Sequence, residues 1–79
     1  MKEKLLEIVV ELCEEDAVRD DLDMDLFEEG LLDSLAVAEL LVAIEEEFGV
    51  VLSPTEYDKT QLATVNKIAQ ILIEKGVAE

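Results

Sequence analysis

The segment Asp33-Ser34-Leu35-Ala36-Val37-Ala38-Glu39-Leu40-Leu41-Val42-Ala43-Ile44-Glu45-Glu46-Glu47-Phe48-Gly49 decides the fold. Placed at about 100 degrees each, Val37, Leu40, Leu41, Ile44 and Phe48 gather on one arc, the pattern of a helix with one buried face. Asp33 or Ser34 can act as the N-cap, and Gly49 stands where a helix ends on a left-handed residue. Leu35, Glu39, Val42 and Glu46 fall on the opposite side. Leu35 and Val42 have no core to enter there, and a strip of mixed apolar and acidic residues has the character of a binding surface. Glu45-Glu46-Glu47 lies at the negative end of the helix dipole, where each carboxylate loses on the order of 0.3 kcal/mol or more. Selection for partner contact would explain that cost, and so would a composition that places glutamates everywhere.

Working outward, three further helices are predicted. The first covers about Lys2 to Glu14, with Leu5, Ile8, Val9 and Leu12 on one face and Glu7, Glu11 and Glu14 opposite. Its end is acidic and has no glycine stop. From Glu15 to Asp33 periodicity is lost apart from Leu26-Phe27, a pair suited to pinning the loop to the core. A short helix is announced by Ser53-Pro54-Thr55-Glu56, with Ser53 as cap, Pro54 at the first helical position and Glu56 completing a capping box, and should end near Lys59. The last runs from Thr64 as N-cap to Lys75, with Val65, Ile68, Ala69 and Leu72 inward and Gly76 as its stop. Three longer helices and one short one on a single core make an all-α four-helix bundle, and a chain of 79 residues is expected to form one domain, 1–79.

Composition excludes several functions. The 21 acidic and 6 basic residues give a formal net charge of -15, a field that repels nucleic acid and anionic lipid and calls for partners with basic patches. There is no histidine, which removes the usual general base and the commonest transition-metal ligand. Cys13 is the only cysteine, so neither an internal disulfide nor a cysteine zinc site can form, and helical spacing places it in the core. No apolar run approaches the roughly 20 residues of a membrane span. Met1 leads straight into Lys2-Glu3-Lys4 with no signal-peptide core, as expected of a cytoplasmic protein. Small size favours a monomer.

Two motifs invite a chemical reading. Asp21-Leu22-Asp23-Met24-Asp25 matches the first ligand positions of a calcium-binding loop, but Leu26 stands where that loop needs glycine and Leu32 where it needs its bidentate glutamate, so no metal site is expected. Ser34 cannot act in a common hydrolytic triad without histidine, and Gly30-Leu31-Leu32-Asp33-Ser34 is not a nucleophile elbow. A serine at such a boundary most often caps its helix. A phosphodiester on Ser34 would also sit at the positive end of the helix beside unpaired backbone donors, with Asp33 flanking it as an unfavourable charge unless a basic enzyme residue pairs with it.

Leu26-Phe27-Glu28-Glu29-Gly30-Leu31-Leu32-Asp33-Ser34-Leu35 resembles the prosthetic-group site of acyl carrier proteins. With Glu39-Leu40, Ala43-Ile44-Glu45-Glu46-Glu47-Phe48-Gly49 and Thr64-Val65-Asn66-Lys67-Ile68 the resemblance spans nearly the whole chain. It implies an acyl-carrier fold, 4'-phosphopantetheine attached at Ser34 by a phosphopantetheinyl transferase using coenzyme A, and no catalysis by the chain itself. It also implies that Asp33, Leu35, Glu39, Val42 and Glu46 contact partners.

Phe27-Glu28-Glu29-Gly30-Leu31-Leu32-Asp33-Ser34 and Glu56-Tyr57-Asp58 look most like the D-alanyl carriers, which receive D-alanine from an ATP-dependent ligase and supply it, through a membrane-bound acyltransferase system, to teichoic acid. Those carriers often have a tryptophan before the last helix and Gly-Thr after the modified serine; here Gln61-Leu62-Ala63 and Ala36-Val37 stand instead. A carrier for fatty-acid, polyketide or other secondary-metabolite enzymes is the alternative in the same class. An unmodified acidic helical adaptor is the alternative from another.

Overall fold

The computed structural model describes residues 1–53 and 55–78. Three α-helices carry the architecture, α1 (Lys2–Cys13), α2 (Ser34–Phe48) and α3 (Val65–Glu74), with a short 3-10 helix at Asp16–Asp20. The all-α bundle of three longer helices and one short one is therefore present, and no strand occurs among the described residues. The short element differs in place from the expectation. Around residues 53–59 the described chain forms a turn, in which the Glu56 amide donates to the Ser53 carbonyl at 3.0 Å. Ser53 Oγ accepts from the Thr55 amide at 3.3 Å rather than from that of Glu56, so the capping box does not close. The expected role of Pro54 lies outside the described residues.

Each helix boundary has a local cause. Asp33 Oδ1 accepts the Ala36 amide at 2.8 Å, and Gly49 (φ 69) ends α2 with its amide on the Glu45 carbonyl at 2.9 Å. Thr64 Oγ1 caps α3 on the Lys67 amide at 3.0 Å. At its far end Gly76 and Val77 return their amides to Ile73 and Leu72, closing a Schellman motif. The acidic end of α1 is finished by Glu14 itself, in the left-handed region at φ 54. The 3-10 helix starts where Glu15 accepts the Ala17 amide at 3.1 Å.

α1 packs against α2, α3 and the 3-10 helix around a core of Leu5, Val9, Leu40, Ile44, Ile68 and Leu72, all buried. Burial of side chains of this size stabilises by about 1.5–3 kcal/mol each. Val10, Val18 and Ile71 join the core without having been legible from the apolar spacing, while Ile8, Leu12, Val37 and Phe48 are only partly covered. Cys13 is also half-buried rather than enclosed, and that burial pushes its thiol pKa up, away from the reactive thiolate.

The connection between α1 and α2 has more order than its composition suggests. Asp25 Oδ1 accepts the amides of Phe27 and Glu28, both at 3.0 Å, and starts a single turn that ends at Gly30 (φ 74). Leu31 N to Leu26 O at 2.8 Å and Gly30 N to Phe27 O at 3.1 Å close it as a second Schellman motif. Leu26, fully buried, also donates its amide to the Ala63 carbonyl at 2.7 Å. The turn that delivers Leu32, Asp33 and Ser34 to α2 is thereby fastened to the segment before α3.

Candidate functional site

The first residue of α2 is Ser34, and it is exposed. Of the two residues able to cap this helix, Asp33 does so, which leaves the Ser34 hydroxyl out of the capping bond. The first-turn amides of Ser34 and Leu35 have no intrahelical acceptor by construction, and the helix dipole places its positive end there.

Beside Ser34 opens a cleft of ≈ 350 Å³ lined by the apolar side chains of Phe27, Val37 and Leu62 and by Tyr57, Asp58 and Lys59. Nothing in the spacing of residues 57–62 announces this neighbourhood, because it arises only when the chain folds back along α2. Three contacts hold the segment there. Lys75 pairs with Glu56 at 3.8 Å, Lys67 Nζ donates to the Thr60 carbonyl at 3.0 Å, and Lys59 Nζ stands 5.9 Å from the Phe27 ring centroid. Asp58 is spent on its own turn: Oδ1 accepts the Thr60 hydroxyl at 2.6 Å and the Gln61 amide at 3.1 Å. The Thr60 hydroxyl, followed by the Gln61 amide, holds the Asp58 carboxyl below the usual carboxylate range.

Asp33, Leu35, Glu39, Val42 and Glu46 are all exposed, and Leu35 and Val42 keep 71% and 53% of their surfaces in contact with solvent. Glu39, Val42 and Glu46 share a groove with Ala38 and Ala43, while Asp33 and Leu35 stand a turn or more away at the start of the helix. Val51, beyond the end of α2, adds a further exposed apolar side chain.

The acidic loop is built for structure. Asp21 accepts the Asp23 amide at 3.0 Å, Asp23 accepts Asn66 Nδ2 at 2.8 Å, and Asp25 caps the turn above. Among the described residues no group of three potential ligands is arranged to hold a metal ion.

A helical scaffold of this kind, with an exposed hydroxyl at a helix start, has the form of a carrier that other enzymes modify and load. Comparison with known proteins makes the class specific. The family described as "Phosphopantetheine attachment site" matches residues 3–72. A D-alanyl carrier protein of Bacillus velezensis is 47% identical over 73 residues, covering 92% of this chain and 94% of that protein. D-alanyl carrier proteins of Bacillus cereus and Bacillus anthracis are each 44% identical over 73 residues, covering 92% of both chains in each comparison. The chain belongs to the phosphopantetheine attachment family of carrier proteins, in its D-alanyl carrier branch.

As a family member it bears covalent 4'-phosphopantetheine, catalyses nothing itself, and interacts with a phosphopantetheinyl transferase and acylating enzymes. The surroundings of Ser34 fit such a group. An exposed hydroxyl can be reached by a transferase, the helix start favours a phosphate, and the adjoining cleft has room and apolar walls for a flexible chain. No helix among the described residues is long and apolar enough to cross a membrane.

Proposed function

We propose that Ser34 carries the 4'-phosphopantetheine arm and that the arm holds D-alanine as a thioester for D-alanylation of teichoic acids. The observation that carries the assignment is the division of labour at the start of α2: Asp33 takes the capping bond, and Ser34 is left exposed. The D-alanyl cargo is supported by relatives named D-alanyl carrier protein that align along nearly their full length. Bound to Ser34, the arm supplies a terminal thiol for thioester chemistry. The protein supplies position, since a cargo tethered to a docked carrier faces the partner's active site at an effective concentration in the millimolar range or above.

Partner recognition in this reading uses Asp33, Leu35, Glu39, Val42 and Glu46. Their exposed carboxylates suit basic patches on a D-alanine ligase, a transferase and the membrane-bound acyltransferase system, and Leu35 and Val42 supply apolar contact. The chain would work in the cytoplasm and dock at the membrane through those partners.

Two measurements test this. Intact mass after incubation with coenzyme A and a transferase should rise by one phosphopantetheine in the wild type and remain unchanged in Ser34→Ala; an unmodified wild type would favour a plain acidic adaptor. Charging of the modified form should then succeed with a D-alanine ligase and ATP. If only a fatty-acid or polyketide loading enzyme charges it, the D-alanyl cargo is wrong and the carrier class stands.

A further inference from the structure

We infer that Lys59 pairs with the phosphate of the arm and that the cleft of Phe27, Val37 and Leu62 takes up the arm's proximal, branched hydrocarbon part, so that the unloaded arm rests against its own carrier. The inference builds on Ser34 as the attachment point, and concerns what surrounds the arm once it is there.

The argument begins with charge. A phosphodiester on Ser34 adds one negative charge to a chain already at -15, between Asp33 at the helix start and Asp58 across the cleft. Both carboxylates are committed to backbone amides, Asp33 to Ala36 and Asp58 to Gln61, so neither can turn away from the newcomer without losing a cap or a turn. The helix dipole offsets part of that repulsion. Lys59 is the cation that lines the same cleft.

Of the other lysines, Lys4 pairs with Glu47 at 3.1 Å and Lys75 with Glu56 at 3.8 Å, while Lys67 donates to the Thr60 carbonyl at 3.0 Å. Lys59 is exposed, follows Asp58 directly, and forms no ion pair among the described residues; its recorded contact is the face of Phe27. In a protein with 21 acidic side chains and 6 basic ones, an ammonium held over a ring at the mouth of the cleft beside Ser34 is positioned for an anion that arrives later.

Size and polarity agree with this. The cleft has ≈ 350 Å³ of space, and its apolar wall contrasts with the acidic surface around it. The arm carries two methyl groups on the carbon next to its phosphate-bearing methylene, and this compact apolar unit matches Phe27, Val37 and Leu62. Tyr57 also lines the cleft and brings a hydroxyl there, a partner for the hydroxyl and first amide that follow in the arm. Because Lys59 is exposed, the pairing is weak enough to open: an ion pair in water shifts such an equilibrium by a factor of up to about 5. A resting contact of that strength would shield the arm without holding it from a partner that docks on α2.

The test uses the modified full-length protein, with mass confirming one arm on Ser34 before anything else is measured, so that failure of attachment is seen separately from failure of this inference. Phosphorus NMR of the wild type, Lys59→Gln and Lys59→Arg then reports on the phosphate directly. The wild-type resonance should move with added salt as the pair is screened. Lys59→Gln should displace it and flatten that salt response, and Lys59→Arg should restore both. Nuclear Overhauser contacts from the arm's methyl groups to the Phe27 ring should weaken by a factor of up to about 5 in Lys59→Gln. If the Lys59→Gln spectrum superimposes on the wild type, or if the wild-type phosphorus signal ignores salt and its methyls show no contact to Phe27, Val37 or Leu62, the inference is overturned. The salt series on the wild type alone decides the matter should Lys59→Gln fail to fold.

Discussion

At the start of α2 stand two adjacent polar residues, either of which could cap the helix, and Asp33 is the one that does. Asp33→Ala removes the bond to the Ala36 amide and should cost about 0.5–2 kcal/mol in urea denaturation. Ser34→Ala, with no capping bond to lose, should leave the melting curve close to wild type while abolishing modification. A Ser34→Ala variant as destabilised as Asp33→Ala would mean that the serine has a structural role after all. The sign of a pH effect follows at Asp58. Its folded pKa lies below the unfolded value, so the stability it contributes is present above the unfolded pKa and is lost as pH falls through the folded one. The gap in melting temperature between wild type and Asp58→Asn should therefore be widest near neutral pH and close on acidification. Ser34, Asp33, Leu35 and Val42 were legible from spacing and resemblance because helix periodicity and capping are local rules. Lys59, Tyr57 and Leu62 were not, because their approach to Ser34 is a product of the tertiary fold.

Among the elements, α2 is the one whose limits sequence defines best, since a capping aspartate and a left-handed glycine stand at its two ends. The Asp25 and Gly30 pair obeys the same grammar over a single turn, too short for periodicity to register. A short 3-10 helix occurs at Asp16–Asp20, where Glu15 supplies the cap, whereas the described residues of 53–59, where the capping pattern predicts a helix, form a turn. Helix ends also offer a stability test. Glu14 adopts φ 54 where glycine would carry no side-chain penalty, and its charge opposes the dipole at the end of α1. Glu14→Gly should raise stability by up to about 1 kcal/mol. Gly49→Ala should lower it by about 1–2 kcal/mol from backbone strain, because a methyl there meets open space and no clash contributes. Chemical denaturation of both variants checks the pair of signs.

Glu45, Glu46 and Glu47 burden the other pole of α2. Glu47 is partly compensated by Lys4 at 3.1 Å, but Glu46 is exposed and has no such bond among the described residues. Glu46→Lys is thus expected to hold or slightly raise the melting temperature while slowing modification and charging. Unchanged kinetics with both enzymes would remove Glu46 from the docking surface.

For the whole molecule the governing quantity is charge. A net -15 spread over principal extents of 28 × 25 × 19 Å opposes compaction, and raising ionic strength screens that repulsion. The melting temperature should climb with sodium chloride, and docking to basic partners should weaken over the same series. A melting temperature indifferent to salt would show that the charge is already neutralised by local geometry. The bundle is small enough that Leu5, Leu40, Ile44, Ile68 and Leu72 all serve one core. Truncating any of them, Leu40→Ala for instance, should cost about 2–5 kcal/mol.

The bond from the Leu26 amide to the Ala63 carbonyl has a consequence for motion. It fastens the approach to Ser34 onto the segment before α3, so a limb borne on Ser34 would swing from an anchored post. The reach of a cargo on such a limb would be measured from that post, and which active site lies within it would be decided by how the carrier berths.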